Sequence, residues 1–125
     1  MKIGITGSRK FTDYKLLCST LDKIAPTEII AGGAQGADTL AEQYADERNL
    51  PKNIFLPKFK IDKAIKYHPR YYHMRNREIV DAADMVLAFW DGKSKGTKST
   101  IDYARETGKP IKIIHFPRVQ SPPSP

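Results

Sequence analysis

Short apolar runs alternate along the chain with segments in which apolar residues recur every three or four positions. The runs are typical of strands buried on both faces of a sheet, and the segments between them are typical of amphipathic helices. Such alternation predicts an α/β fold, in which crossover helices cover a parallel sheet. The predicted strands span residues 3–6, 28–31, 53–56, 84–90 and 111–115.

The helical segments between these strands have recognisable ends. Asp13 is a typical N-cap residue for the first helix, and Gly108 follows the last one, as is common after a helix C-terminus. Residues 58–77 have the least regular pattern, and a helix resumes within them at Met74. Right-handed crossovers between the strands predict a Rossmann-like three-layer sandwich with the sheet order 3-2-1-4-5. The predicted helices span about 13–24, 37–45, 74–83 and 97–107.

The chain has 125 residues, which is enough for one domain with a single buried core. We expect a domain at residues 1–116 followed by a Ser/Pro-rich tail at 117–125. No apolar run approaches the roughly 20 residues that span a bilayer, and the N-terminus has the pattern of a strand rather than of a signal peptide. Because Cys18 is the single cysteine, no internal disulfide can form, and we expect a cytoplasmic protein without a membrane partner.

Three of the predicted strands end in loops rich in Gly, Ser and Thr, at residues 7–9, 32–38 and 92–97. Parallel strands place their carboxyl ends at one edge of the sheet, where ligands bind in such folds. Glycines allow close approach of the backbone, and the N–H groups at a helix start attract phosphate. Hydroxyl and guanidinium groups, including those of Arg9 and Arg77, complete an anion site. The ligand-binding candidates are Gly7, Ser8, Arg9, Gly32, Gly33, Gly36, Asp38, Arg77, Asp91, Gly92, Ser94, Gly96 and Thr97.

The formal net charge of +7 agrees with an anionic partner, such as a nucleotide, a nucleic acid or an acidic surface, without choosing among them. Two common nucleotide-binding motifs are excluded. Residues 92–94 end like a P-loop, but Leu87 takes the place of its upstream glycine, and no GxGxxG fingerprint occurs. Neither a metal nor a cofactor is predicted, because metal-ligand spacing is lacking among the three histidines, His68, His73 and His115.

Three motifs give the chain a family resemblance. In combination they resemble the SLOG superfamily, which includes the DNA-processing protein A family and the Lonely-guy phosphoribohydrolases, and in particular its small stand-alone bacterial and phage branch related to YspA. The resemblance implies a Rossmann-like fold over about residues 1–115 and binding of nucleotides or nucleotide-derived ligands. The motifs are Gly32-Gly33-x-x-Gly36-Ala37-Asp38-x-x-Ala41, Arg75-Asn76-x-x-Ile79-Val80-x-x-Ala83-Asp84 and Phe89-Trp90-Asp91-Gly92-x-Ser94-x-Gly96-Thr97.

The same resemblance raises an enzymatic hypothesis. Lonely-guy enzymes cleave the N-glycosidic bond of a nucleoside monophosphate and carry a Glu three residues after their Gly-Thr pair, a position that is Thr100 here. A threonine cannot supply the negative charge that would assist formation of an oxocarbenium ion at the ribose. Asp38, Glu42, Asp91 or Asp102 could substitute, with Asp38 and Asp102 as the named catalytic candidates, and the sequence selects none of them.

Residues 58–77 raise a third hypothesis, the binding of single-stranded nucleic acid. They contain seven Lys or Arg residues and one acid, interleaved with four aromatic rings. Positive charge with stacking rings suits single strands, but it would equally recognise one base and its phosphate. The segment also fits a solvated amphipathic stretch whose rings pack inward. The rings are Phe59, Tyr67, Tyr71 and Tyr72.

Among these hypotheses, a nucleotide-binding sensor or sequestering module ranks first. The absence of the family Glu favours it over an N-glycosidase or phosphoribohydrolase, and the absence of a dedicated DNA-binding appendage favours it over a single-strand binder. Related folds often form dimers or tetramers, so by analogy we also expect a homo-oligomer.

Overall fold

The structure is a computed structural model, and it describes residues 1–117. Five parallel strands form one sheet in the order β3-β2-β1-β4-β5, which confirms the predicted α/β sandwich and its strand order. Apart from its first residue, the predicted tail at 117–125 lies outside the described residues. The strands are β1 (Lys2–Gly7), β2 (Glu28–Ala31), β3 (Lys52–Ile54), β4 (Met85–Trp90) and β5 (Ile111–His115).

The helices agree with the sequence pattern except around residues 58–77. There the pattern predicted no helix before Met74, whereas a short helix forms first and the following long one begins at Arg70. Pro69 immediately precedes that start. Proline lacks a backbone N–H, and its absence costs nothing here because the N–H groups at a helix start have no acceptor within the helix. The helices are α1 (Tyr14–Ile24), α2 (Ala37–Glu47), α3 (Lys58–Ile61), α4 (Arg70–Ala82) and α5 (Lys95–Glu106).

The third strand is shorter and lies earlier than predicted, at Lys52–Ile54 rather than 53–56. It is an edge strand that pairs only with β2, and that pairing ends where β2 itself ends, with Ala31 opposite Ile54. β3 therefore ends where its pairing with β2 stops, and the register of that pairing is not contained in the local pattern.

Side chains of the central strands alternate between the two helical layers, as the period of a strand requires. Ile3 and Ile5 are fully buried in the core that includes residues of α1 and α2. Gly4 faces the opposite layer, where an added Cβ would lie 3.0 Å from Ala83 Cβ and 3.2 Å from a methyl carbon of Ile79. The missing side chain at Gly4 thus lets α4 pack directly on β1.

The strand order places a crevice between β1 and β4. The chain leaves β1 towards β2 and β3, and then returns through α4 to β4 on the other side of β1. The loops that follow β1 and β4 therefore run in opposite directions from adjacent strands, which is the position where open α/β sheets bind ligands.

The end of β1 is tightly packed. An added Cβ on Gly7 would lie 2.7 Å from both Ala37 Cβ and the Phe89 carbonyl oxygen. The same carbonyl accepts a 3.0 Å hydrogen bond from the Ser8 N–H, so the backbone there cannot shift without breaking it. Gly7 therefore fixes the distance between the β1 loop, the start of α2 and β4.

We expect Gly7→Ala to lower the free energy of unfolding by about 1–3 kcal/mol, because the new methyl group overlaps both backbone and side-chain atoms. Urea denaturation measures the change. Gly96→Ala is the matched control, since an added Cβ at Gly96 meets no atom within 4 Å. In a helical position that substitution should be neutral or stabilising by up to about 1 kcal/mol. Equal effects of the two substitutions would contradict the packing role of Gly7.

Candidate functional site

A cleft of about 480 Å³ opens at the carboxyl edge of β1 and β4. Its walls come from the loop after β1, the start of α2, one side of α4 and the start of α5. The structure thus brings together parts of all three Gly-rich loops that the sequence singled out. The predicted ligand-binding residues that line the cleft are Gly7, Ser8, Arg9, Asp38, Asp91, Ser94, Gly96 and Thr97.

The remaining predicted glycines, Gly32, Gly33, Gly36 and Gly92, are not part of the cleft lining. Gly36 has a φ of 77°, and an added Cβ there would overlap the Ser8 carbonyl oxygen. These contacts show that Gly36 allows two loops to pack against each other, whereas the sequence interpretation assigned it to backbone approach by a ligand.

Arg77, predicted as a phosphate partner, lies outside the cleft. Its guanidinium carbon lies 5.2 Å from the ring centre of Tyr103, in a groove between α4 and α5. Asp102 and Thr100 line that same groove, so of the two candidate catalytic carboxylates only Asp38 lies in the cleft.

The arginine of α4 that does line the cleft is Arg75, which the sequence analysis included in a motif but not among the site residues. Positions 75 and 77 point about 200° apart around a helix. Arg75 shares the buried face of α4 with Ile79, one helical turn later. A cation one helical turn before the inward-facing Ile79 was the available signal. Position 75 lies within the helix predicted from Met74, but the sequence interpretation did not use this signal.

Arg75 is held firmly although it is charged. Only 6% of the residue is exposed, and its Nη1 donates a 2.6 Å hydrogen bond to the Gly32 carbonyl oxygen. Its Nε donates to Asn76 Oδ1 at 2.9 Å. Burial lowers the pKa of the Arg75 guanidinium, while the nearby Asp38 carboxylate acts in the opposite direction. An arginine remains protonated despite such a shift, so a fixed positive charge lies in the wall of the cleft.

Asp38 is the buried carboxylate of the cleft. It is 7% exposed, and its Oδ2 accepts a 3.1 Å hydrogen bond from the Ala34 N–H, which closes the loop before α2. Burial raises the pKa of Asp38, whereas the Ala34 N–H and the Arg75 charge oppose that rise. The carboxylate therefore has a structural task in the loop and also faces the ligand space.

A second guanidinium converges on the same part of the cleft. The guanidinium carbons of Arg9 and Arg75 lie 5.8 and 5.6 Å from the ring centre of Tyr72. The charge of Arg9 contributes to lowering the pKa of Arg75, which shows that the two cations repel each other. Because Arg9 is exposed while Arg75 is buried, an anion between them would be reached from solvent and stabilised by both.

The start of α5 supplies backbone donors to the cleft. Asp91 Oδ1 accepts from the N–H groups of Lys93 (2.9 Å) and Ser94 (2.8 Å), and Ser94 Oγ in turn accepts from the Thr97 N–H (3.4 Å). The helix provides no carbonyl for the first-turn amides at residues 95 and 96, both of which line the cleft. These side-chain hydrogen bonds thus fix the start of α5, and the positive end of the helix dipole faces the cleft.

The cleft as a whole is positively charged. Its lining contains four Lys or Arg residues and two Asp residues. Within residues 1–117, no three His, Cys, Asp or Glu side chains are arranged to hold a metal ion. Among the same residues, no helix is long and apolar enough to cross a membrane.

Comparison with known proteins identifies the family. The model of the "YspA, cpYpsA-related SLOG family" matches residues 1–61. Beyond this, the chain is 32% identical over 123 residues to the Gene 61 protein of Mycobacterium phage D29, a match that covers 92% of this chain and 95% of the phage protein. The chain belongs to the YspA-related SLOG family. The resemblance noted in its three motifs is thereby confirmed, including the link to a phage relative.

Solved structures show the same fold for this SLOG chain. DNA processing protein A from Streptococcus pneumoniae matches with a TM-score of 0.75 and 18% identity, over 90% of this chain and 49% of that one. Its counterpart from Helicobacter pylori matches with a TM-score of 0.70 and 23% identity, over 90% of this chain and 64% of that one. The SLOG chain thus spans about half of the former protein and less than two thirds of the latter.

We expect Arg75→Met to lower the free energy of unfolding at neutral pH by about 2–4 kcal/mol, because it leaves the Gly32 carbonyl without its donor and Asp38 without its compensating charge. The pKa of Asp38 is already above its ordinary value of 3.8 in the folded state, and loss of Arg75 raises it further. Ionised Asp38 is thus the form that the substitution destabilises. The decrease in the free energy of unfolding should have its full size at neutral pH and should become smaller as the pH falls through the folded-state pKa of Asp38.

Denaturation of the wild type and the variant over a pH series measures this dependence. Arg77→Met on the same helix is the control, and it should cost less than about 1 kcal/mol because only an exposed cation–π contact is removed. A loss that stays constant with pH would show that Asp38 and Arg75 do not interact.

Proposed function

We propose that this protein binds the phosphate group of a nucleotide or nucleotide-derived ligand in the cleft between β1 and β4. The observation that carries the proposal is the convergence of two guanidinium groups, one buried and one exposed, on the Tyr72 ring within that cleft. Their mutual repulsion in the unliganded protein is relieved when a phosphate binds between them. Burial strengthens the attraction, because charges interact more strongly away from water.

The surrounding groups would complete a phosphate site. The first-turn amides at residues 95 and 96 would donate to phosphate oxygens at the positive end of α5. The buried Thr97 hydroxyl, 3.0 Å from Ser94 Oγ, adds a polar group at the same end. Asp38, on the α2 side, would accept from a ribose hydroxyl with the oxygen that Ala34 does not occupy. A nucleoside monophosphate carries both groups that this arrangement recognises.

A single strand of nucleic acid is less well supported by the arrangement of residues 58–72. The Helicobacter pylori protein with the same fold has a described single-stranded DNA binding mode. In this chain, however, the rings of Tyr67 and Tyr72 pack against Phe59, with centroids 5.0 and 5.4 Å apart. These two rings stand at 70° and 81° to the ring of Phe59, and of the four aromatic residues only Tyr67 is exposed, so they do not offer a row of parallel faces on which successive bases could stack. This packing favours a compact ligand.

Binding without cleavage is favoured by the positions of the carboxylates. The hydroxyl of Thr100, at the family Glu position, donates to the Gly96 carbonyl at 3.0 Å and is thus occupied within α5. Asp102 forms an ion pair with Lys98 at 2.8 Å outside the cleft. The carboxylates in the cleft lining, Asp38 and Asp91, both already accept hydrogen bonds from backbone N–H groups, Asp38 from Ala34 and Asp91 from Lys93 and Ser94. We therefore propose a sensor or sequestering module rather than an N-glycosidase.

The test is calorimetric titration of the protein with the four nucleoside monophosphates, with bound and released products analysed by chromatography. We expect at least one to bind and to be recovered intact. Arg9→Ala should weaken its binding about tenfold or more, as expected for a lost hydrogen bond to a charged group. Arg105→Ala has the same charge change on an exposed site of α5 away from the cleft, and it should have no effect.

Three results would contradict this function. Absence of binding, or equal binding by wild type and Arg9→Ala, would exclude the cleft as the phosphate site. Release of free base that is lost in Asp38→Asn would make the protein an N-glycosidase. Tight binding of single-stranded oligonucleotides with a steep dependence on salt would indicate many phosphate contacts and hence a nucleic-acid partner.

A further inference from the structure

A second cavity lies next to the cleft. It is a groove of about 340 Å³ between α4 and α5. Three residues line both spaces, so the groove and the cleft are continuous around one side of α4. These shared residues are His73, Asn76 and Lys95.

The groove has its own unpaired cations. Arg77 lies over the Tyr103 ring, whose hydroxyl donates to Asp81 at 2.7 Å and thereby holds the ring in place. Within residues 1–117, neither Arg77 nor Lys95 has a carboxylate partner within ion-pair distance. The two cations are therefore available to an anion that enters the groove.

The acidic residues of the groove do not cancel these cations. Asp102 is already neutralised by Lys98, at 2.8 Å one helical turn away on α5. The lining contains one further carboxylate, that of Glu106, compared with the two cations that lack a carboxylate partner in the described part of the chain. The balance of unpaired charge in the groove is therefore positive, as it is in the cleft.

We propose that the ligand is a compact nucleotide with a second phosphate, which binds in the groove beside Arg77 and Lys95 while the first phosphate binds in the cleft. This inference rests on the proposed function. Arg75 and Arg77 point about 200° apart around α4, whose diameter with side chains is about 10 Å. Two phosphates bound beside these arginines would lie on different sides of α4, and a spacer such as the nucleoside of a dinucleotide would join them.

Calorimetric titration with a graded series of ligands tests this. For each base, the series comprises the nucleoside monophosphate, the nucleoside diphosphate, the 5′-phosphorylated dinucleotide and a 5′-phosphorylated single-stranded octanucleotide. We expect the dinucleotide to bind about tenfold more tightly than the monophosphate, as for one additional hydrogen bond between charged groups, and the octanucleotide to gain nothing more. The diphosphate should gain less than the dinucleotide.

Arg77→Ala should remove most of the gain of the dinucleotide and leave the affinity of the monophosphate unchanged. Arg105→Ala, with the same charge change, should alter neither. Equal affinities of monophosphate and dinucleotide, or a gain that survives Arg77→Ala, would overturn the second phosphate site. An affinity that continues to rise up to the octanucleotide would overturn the compact ligand in favour of a strand.

The outcomes also separate this inference from the function on which it rests. If the monophosphate binds and depends on Arg9, but the dinucleotide gains nothing, only the second site is wrong. If no member of the series binds, the phosphate cleft itself is wrong, and the second site fails with it.

Discussion

The hydrogen bond from the buried Arg75 guanidinium to the Gly32 carbonyl joins the two halves of the site. It ties α4, on one side of the sheet, to the loop that follows β2 and opens α2 on the other side. Gly32 has no side chain because a Cβ would lie 2.7 Å from Arg75 Nη1. The loop conformation, the position of the cation and the electrostatic environment of Asp38 therefore depend on one another. A substitution that changes one of these three features should alter the other two, as is usual for residues that share a buried polar network.

The fold follows from features that are local in the sequence. Asp13 caps α1 by accepting from the Leu16 N–H at 3.0 Å, and Ser94 caps α5, so local side-chain chemistry sets the starts of both helices. The strand order is the one expected for this fold class, and the nearly invariant handedness of crossovers is compatible with it without selecting it. The end of β3 was placed wrongly because it depends on the register between β2 and β3, a long-range pairing that a local pattern does not contain. The start of α4 was placed wrongly because the basic, aromatic stretch hides the helical period.

The site was predicted less completely than the fold. Loops at strand ends can be located from sequence because parallel strands share one carboxyl edge, and eight of the predicted residues do line the cleft. Arg77 was named as a phosphate partner because guanidinium groups suit bidentate contacts, whereas Arg75 was assigned only to a motif. Their rotational positions on α4 place Arg75, and not Arg77, in the cleft. The glycines were assigned to the ligand for a similar reason. A glycine that makes room for a ligand and one that makes room for another loop, as at Gly36, have the same sequence signal.

The electrostatics of the cleft suggest why binding and stability should be linked in this protein. Arg75 is desolvated and repelled by Arg9, and both effects lower its pKa, whereas Asp38, Tyr72 and Glu78 act in the opposite direction. A buried ion pair of this kind is weak evidence for a stabilising role, since a protein with two apolar side chains in its place would often be at least as stable. It is better explained by a ligand that supplies the missing negative charge. A phosphate that binds the folded state alone would stabilise that state by mass action, so the proposed ligand would offset the electrostatic cost of the buried cation.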